Sequence, residues 1–562
     1  DDLLIIGANI LSSIFQEQYD SSSRNANNEK KNREWEMKVL QCTILSNATP
    51  QRLASYASSS SSNQETNTEL YRHIQNMLQD VSLMKEILLA DGPKGQNYVN
   101  FLRIYHQICS TSLHTTKHCS STDSSVEFNM FDRLALAVAL EHANPMTIFD
   151  TNTSIDPVAR YAQYEGAYLR GELDPFFPTL STWKLRMVVN NDASDDEIQW
   201  CRNMLCNYRP DHILDRNDAW RYCMIVRSDV DYKRPVWKEG CPRTYKQMIS
   251  GGGMCGPRAW FGRFACKSFG IPTWGIRQAG HAAMSHWTPS GEWVINLGGN
   301  NWEKSWWEAR NGRDFHLETR ARIWRLDNGK EYEKILWLQC FASIHGEVQI
   351  GSQNAKFHER KVEQRLWNEL AMIQKEIFAL NTSSCSEVVE EARRRLRTGR
   401  GGNGNESNVL TLVKSLRHDS TRNKDESISY DPNGCIKVPA AICKVTGSTG
   451  KVIIMKCFRG GKQIHARDGA TFEFQVQVPQ TQKHLLCMNV VTAHSSCETK
   501  PLRLTTTGSV GRLEEKCYDI EIPYSEGEWT KTKPVELQLI GGYVNKLVFK
   551  CPHGLRISIN EF

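Results

Sequence analysis

The period of hydrophobic and polar positions changes twice along this chain. From Thr68, the apolar residues Leu70, Ile74, Leu78, Val81 and Leu88 fall close to one helical face, and Gly92-Pro93 stops the run. Phe131 to His142 reads as a buried helix, Asp156-Pro157 as an N-cap with proline in the first turn, and Ser194-Asp-Asp-Glu197 as a capping box before Ile198 to Leu205. The region from 65 to 250 is therefore mainly α. Before it, residues 1 to 64 alternate short apolar pieces with the polar SSSRNANNEKKN and the run Ser58 to Ser62, a pattern expected of mobile loops.

From 251 to about 340 a helix is followed by short strands bounded by Gly, Pro and Ser. Thirteen of the sixteen tryptophans lie between Trp183 and Trp337, which places there either a tryptophan-rich core or an aromatic-walled cleft for peptide or sugar. Val362, Leu366, Leu370, Ile373, Ile377 and Leu380 make an amphipathic helix. RRRLRTGR at Arg393 to Arg400 then opens a polar linker reaching about residue 430. From Cys435 the period is two. Phe472, Phe474, Val476 and Val478 alternate with polar residues, as do Val535, Leu537 and Leu539, and Leu555, Ile557 and Ile559 close the chain. This predicts an all-β sandwich of roughly 130 residues.

Composition changes this picture little. The 562 residues call for two or three domains, and 69 basic against 63 acidic residues is too mild and too evenly spread to argue for nucleic acid. No apolar run approaches the ~20 residues of a membrane span. Eighteen cysteines, and the sequons at Asn47, Asn152, Asn381 and Asn405, point to the secretory pathway, disulfides and N-glycosylation. A chain beginning at Asp1 fits a processed secreted protein.

The chemistry concentrates in GGGMCGPRAWFGRFACKSFGIPTWGIRQAGHAAMSHWTPSGEWVINL, Gly251 to Leu297. Three glycines and Met254 lead into Cys255, Pro257 suits a first helical turn, and Phe261, Ala265 and Phe269 recur at helical spacing until Gly270-Ile271-Pro272. A thiol becomes a strong nucleophile as thiolate, and a helix N-terminus with a nearby imidazole lowers its pKa. The strand after Gln278-Ala279-Gly280 carries His281, Ala283, Ser285 and Trp287 on one face and Ala282, Met284 and His286 on the other. A two- or four-residue hairpin at Thr288 to Gly291 pairs Ala283 with Asn296 and brings Asn296 to the His281 face. A three-residue loop or a bulge reverses that. Cys255, His281 and Asn296 thus offer a nucleophile, a base and an amide to orient the imidazole.

At these residues the sequence resembles the transglutaminase-like cysteine enzymes, a papain-like superfamily that includes the peptide N-glycanases. Cys255, Gly270-Ile271-Pro272, His281-Ala282 and Trp293 match its pattern over about residues 250 to 300. The family's third residue, Asp, falls at Leu297, and Ala283-Met284 stands where a Trp often follows His-Ala. The resemblance implies a thioester intermediate at Cys255, with Trp220 or Gln247 as further oxyanion groups and Trp287 at the cleft. IEIPYSEGEWTKTKPVELQLIGGYVNKLVFK resembles the last strands of jelly-roll carbohydrate-binding modules.

The expected architecture is multidomain α+β. Residues 1–64 form a mobile segment, 65–180 a helical region and 181–345 a transglutaminase-like core. A helical extension at 346–397, a linker at 398–430 and a β-sandwich at 431–562 follow. The expected function is a secreted thiol enzyme acting on an amide or isopeptide of a protein, peptide or glycoprotein, by hydrolysis or acyl transfer, without a cofactor. The alternative is an inactive secreted glycan- or protein-binding protein on the same fold. No metal site is expected, because no paired CxxC or HxxxH spacing occurs near the centre.

Overall fold

The computed structural model describes residues 26–47, 64–115, 128–214, 217, 219–288, 292–298, 303–305, 312–325, 329–347, 370–379, 427–431, 434–446, 451–508 and 515–562. The first half is helical and the C-terminal part is built of β-sheets. Local chemistry explains the helix boundaries. The apolar run from Leu70 to Leu88 forms two helices, Gln64–Gln79 and Val81–Leu89, because the Asp80 side chain caps the second by accepting from the Leu83 amide at 2.9 Å. Met130–His142 starts on a reciprocal capping box between Asn129 and Asp132, and Leu134 to Leu140 are fully buried. Asp156 caps Pro157–Leu169, and Ser194 caps Asp195–Tyr208. The Glu197 carboxylate also accepts from the Tyr245 amide at 2.7 Å, tying that helix to the start of the Tyr245–Gly251 helix.

Residues 26–47 correct the expectation of loops throughout 1–64. They form a helix whose Val39, Leu40 and Ile44 are buried, and Trp35 meets Trp337 of the Gly329–Glu347 helix with centroids 5.5 Å apart. The periodic apolar residues within NREWEMKVLQCTIL outweigh the polar start of the segment. In the extension, Ala371, Lys375 and Phe378 turn inward, and Lys375 is ion-paired with Glu318. Leu370, Ile373 and Ile377 are exposed, so this helix shows the face opposite to the one its apolar pattern predicts. The linker, like Val362 and Leu366, lies outside the described residues.

Four antiparallel strands form a central sheet: β1 (Thr273–Gln278), β2 (His281–Trp287), β3 (Trp293–Asn296) and β4 (Lys304–Ser305), in the order β3-β2-β1-β4. The helix Cys255–Ser268 packs on it at close range. A Cβ on Gly262 would lie 2.3 Å from Met284 Sδ, so only glycine allows the approach. Two five-stranded antiparallel sheets make the C-terminal sandwich, with Phe472, Phe474, Val476, Leu537, Leu547, Phe549, Ile557 and Ile559 in its core.

The sandwich is seated on the helices that carry the central site. Trp200 Nε1 donates to Glu526 O at 2.7 Å, Gln463 Nε2 to Asn207 O at 2.8 Å and Ser558 Oγ to Tyr208 O at 2.7 Å. At the centre is Asp229, fully buried. Its carboxylate accepts from Arg209 Nη1 at 2.7 Å, Tyr208 Oη at 2.9 Å and Ser228 Oγ at 2.7 Å, with His494 Nε2 of the sandwich 3.8 Å away. Arg556 of the sandwich donates to Asp229 O at 2.9 Å and to Asp231 Oδ1 at 2.6 Å. Burial alone would raise the Asp229 pKa. The Arg209 guanidinium beside it overcomes that and holds the carboxyl well below the usual range.

The sixteen described cysteines are all free thiols, nine of them buried, so no described pair forms the expected disulfides. The reason is packing. Cys201, Cys340, Cys457 and Cys551 serve as small apolar side chains within cores, and burial pushes the Cys340 and Cys551 thiols up to about 12.

Two predictions follow from this packing. Asp229→Ala removes the buried carboxylate that Arg209, Tyr208 and Ser228 share, leaving Arg209 with Asp211 alone, and should cost about 1–3 kcal/mol in denaturant unfolding, whereas Asp519→Ala, at an exposed pair with Arg503, should cost about 0–1 kcal/mol. The second concerns acid. Burial, reinforced by Arg209, lowers the His465 pKa to about 3, and burial with Arg160 lowers that of His142 to about 4. Both folded values lie below the unfolded one of about 6.5, so the unfolded chain takes up protons that the folded chain refuses. Stability should therefore fall as pH drops from about 6.5 towards 4, by about 1 kcal/mol per pH unit for each group. Melting curves of wild type and His465→Gln over that range check it, with a shallower slope expected in the variant.

Candidate active site

Cys255 is the first residue of its helix, half-buried, behind Met254 in extended conformation. The ladder opens with Arg258 N to Met254 O at 3.1 Å. The amides of Cys255 and Gly256 therefore stand outside it at the positive helix end, and Pro257 has none to offer. The preceding glycines are needed because the chain from Asp231 to Val236 passes close by. Gly252 has φ 74°, and a Cβ there would be 2.8 Å from Asp231 O, while Gly253 N donates to that oxygen at 2.9 Å. This crossing leaves Tyr232, Val236 and Met254 exposed as an apolar rim beside Cys255. From the other side the sandwich braces the same approach, with Ser495 N donating to Ser250 Oγ at 3.0 Å.

His281 begins β2, half-buried, and its Nε2 is hydrogen-bonded to the main-chain carbonyl of Leu297. No hydrogen bond joins its ring to the Cys255 thiol. Leu297 has φ 67°, in the left-handed region a branched side chain rarely adopts, and that twist belongs to the backbone unit whose carbonyl meets the ring. The register between β2 and β3 differs from the expected one. Trp287 pairs with Trp293 and Met284 with Asn296, and Thr288 N bonds Glu292 O at 2.9 Å, leaving the odd number of residues 289–291 between them. An odd loop reverses the faces. Asn296 therefore shares the side of Met284 and His286, the face on which the Cys255 helix packs, whereas His281 starts on the opposite face. Asn296 is buried, its Nδ2 donates to Ala219 O at 2.5 Å, and its Oδ1 has no partner. The structure thus places Asn296 as a support for the segment carrying Trp220, while the acceptor at His281 is the backbone of its neighbour. Side-chain patterns carry no signal for a main-chain acceptor, so the sequence could not reveal it.

The other candidates divide. Trp220 is partly buried against the core cluster that holds Met284 and Phe261, with Leu297 packed on the same cluster and Arg227 5.4 Å over its ring. Gln247 lies on the Tyr245–Gly251 helix and donates to Pro242 O at 3.4 Å, with its Oε1 buried and unpartnered. Trp287 is not a cleft wall. It is 7% exposed in the helical core, edge-on to Phe176 at 6.4 Å and capped by Lys184 Nζ at 4.4 Å. Trp183, Trp200, Trp274 and Trp293 are buried likewise, whereas Trp220, Trp237, Trp260 and Trp337 are partly buried against the cores, so these described tryptophans pack into or onto cores. Of the sequon asparagines, Asn152 is exposed on a turn, Asn47 is half-buried and hydrogen-bonded to Tyr98, and Asn381 and Asn405 lie outside the described residues.

One cluster escaped the sequence reading entirely. Cys223, Cys266 and His286, buried and far apart in sequence, bring their donor atoms within 4.8 Å of one another beneath the Cys255 helix.

No family model matches the chain, and no curated protein does. Among solved structures, the chain is similar to the C-terminal CBM6 module of LamC, a laminarinase of Zobellia galactanivorans. The identity is 16%, covering 22% of this chain and 94% of that one, with a TM-score of 0.17. It is also similar to the module CBM6cm-2 of Cellvibrio mixtus lichenase 5A, solved with cellotriose, at 17% identity, 22% and 92% coverage and a TM-score of 0.18. The likeness is that of the C-terminal β-sandwich to carbohydrate-binding modules.

Proposed function

We propose that this chain is a thiol enzyme of the transglutaminase-like kind, working on an amide or isopeptide with Cys255 as nucleophile and His281 as base. The observation that supports it most is the bond from His281 Nε2 to the Leu297 carbonyl. A carbonyl only accepts, so the bond fixes the imidazole proton on Nε2 and leaves Nδ1 able to take the thiol proton. In this reading the thiolate attacks the substrate carbonyl, and the amides of Cys255 and Gly256 hold the oxyanion. His281 then returns the proton to the departing amine, leaving a thioester. Water completes a hydrolysis, and a lysine amine completes an acyl transfer. A neutral carbonyl stabilises the imidazolium less than a carboxylate does, so turnover slower than with an aspartate at position 297 is part of the proposal. The sandwich, braced against the approach to Cys255, is in this reading a substrate-side module, and a glycan ligand for it fits a glycoprotein substrate.

A second reading, a secreted binding or matrix protein that has lost catalysis, is favoured by the missing bond between Cys255 and His281, by the Cys255 helix packing on the Met284 and His286 face of the sheet while His281 starts on the opposite face, and by Asn296 turned away from His281. Thiol mapping separates the two. With iodoacetamide at about pH 6, Cys255 should be alkylated at least about tenfold faster than the exposed Cys241, Cys435 and Cys517 of the same chain, and His281→Ala should remove the difference. Equal rates at all four thiols would overturn the enzyme reading and leave the binding one. Asn296→Ala tests the assignment of roles. It should lower stability by about 1–3 kcal/mol through loss of the bond to Ala219, with Cys255 keeping its fast labelling. Collapse of the labelling at unchanged stability would return Asn296 to the catalytic set.

A further inference from the structure

We infer that Cys223, Cys266 and His286 form a buried metal centre for a d10 cation, zinc by charge balance, pinning the Cys255 helix to the sheet. The three donors come from three separate elements: the turn Arg221–Cys223, the helix Cys255–Ser268 and β2. Their donor atoms lie within 4.8 Å of one another, and each residue is 1% exposed. A cation bound at about 2.3 Å from sulfur and about 2.0 Å from nitrogen holds its donors about 4 Å apart, so a small inward movement completes the site. Two thiolates and an imidazole are the donors that borderline and soft cations prefer over calcium or magnesium.

Charge decides among those cations. On binding, Cys223 and Cys266 each release one proton, so a divalent ion leaves a neutral centre with no net charge to bury, whereas a monovalent ion leaves one negative charge. The Cys223 thiol donates to the Trp220 main-chain oxygen at 3.0 Å, a bond that its deprotonation on metal binding would give up. Trp220 belongs to the segment that Asn296 supports, so the centre and Asn296 hold one piece of backbone from two sides. The inference is independent of catalysis at Cys255.

Elemental analysis of the full chain, purified with reductant and without chelator, tests it. About one zinc per chain is expected, lost in Cys223→Ala and Cys266→Ala and kept in Cys551→Ala, a buried cysteine of the sandwich. Cobalt added to stripped wild type should give a thiolate-to-metal absorption saturating at about one equivalent. Apparent affinity should tighten as pH rises, as release of protons from the ligating thiols requires. The cobalt titration needs no variant, so it decides even if the alanine chains fail to fold. Stoichiometric copper instead would keep the centre and replace zinc as its cation. A chain that takes up neither metal, or one with a Cys223–Cys266 disulfide and metal content indifferent to Cys223→Ala, overturns the inference.

Discussion

The carboxylate of Asp229 is the interaction on which the arrangement of this molecule depends. A buried anion is tolerable only with its charge and lone pairs satisfied, and here Arg209, Tyr208 and Ser228 supply that from the helical half. The sandwich contributes His494 to the same carboxylate and Arg556 to the neighbouring carbonyl. Neither half buries this group well alone, so the network favours the docked arrangement. The docked sandwich then reaches Ser250, five residues before Cys255, so the geometry around Cys255 depends on contacts made by residues more than two hundred positions away.

Much of the fold could be read in the sequence because its causes are local. Asp156 with Pro157, Ser194, and the glycines on either side of the Cys255 helix act within a few residues, and the observed boundaries follow them. The two-residue period of the sandwich was equally legible, since Phe472, Phe474 and Val476 have one buried face. The helix at 370–379 was misjudged for a reason local patterns do not contain. The Lys375–Glu318 pair and Phe378 set its orientation, so the apolar stripe faces outward. Residues 26–47 show the converse, where serine and asparagine nearby concealed an apolar face that packs against a distant helix.

The site was legible in part. Cys255 at a helix start and His281 at a strand start follow from glycine, proline and strand spacing. The third partner turned on whether the hairpin loop held an even or an odd number of residues, and Thr-Pro-Ser-Gly-Glu fits either. The observed pairing of Met284 with Asn296 rotates the asparagine to the helix side of the sheet. There its amide serves Ala219, and a buried Oδ1 without a partner remains as the energetic mark of a polar side chain recruited for one bond only.

The left-handed conformation of Leu297 then gains a physical meaning. A leucine at φ 67° costs about 1 kcal/mol or more relative to an extended residue, and such a cost persists where surrounding contacts demand it. The contact in view is the carbonyl held by His281. A carboxylate side chain at position 297, which the proposed function would favour, would orient that imidazole from the same place in the chain. Here the side chain packs into the core beside Trp220, and the main chain bends to present an acceptor instead. Such a substitution preserves the tautomer of the ring while giving up the negative charge. Orientation of an imidazole and stabilisation of its protonated form are separable contributions, and the Leu297 carbonyl gives His281 the first without the second.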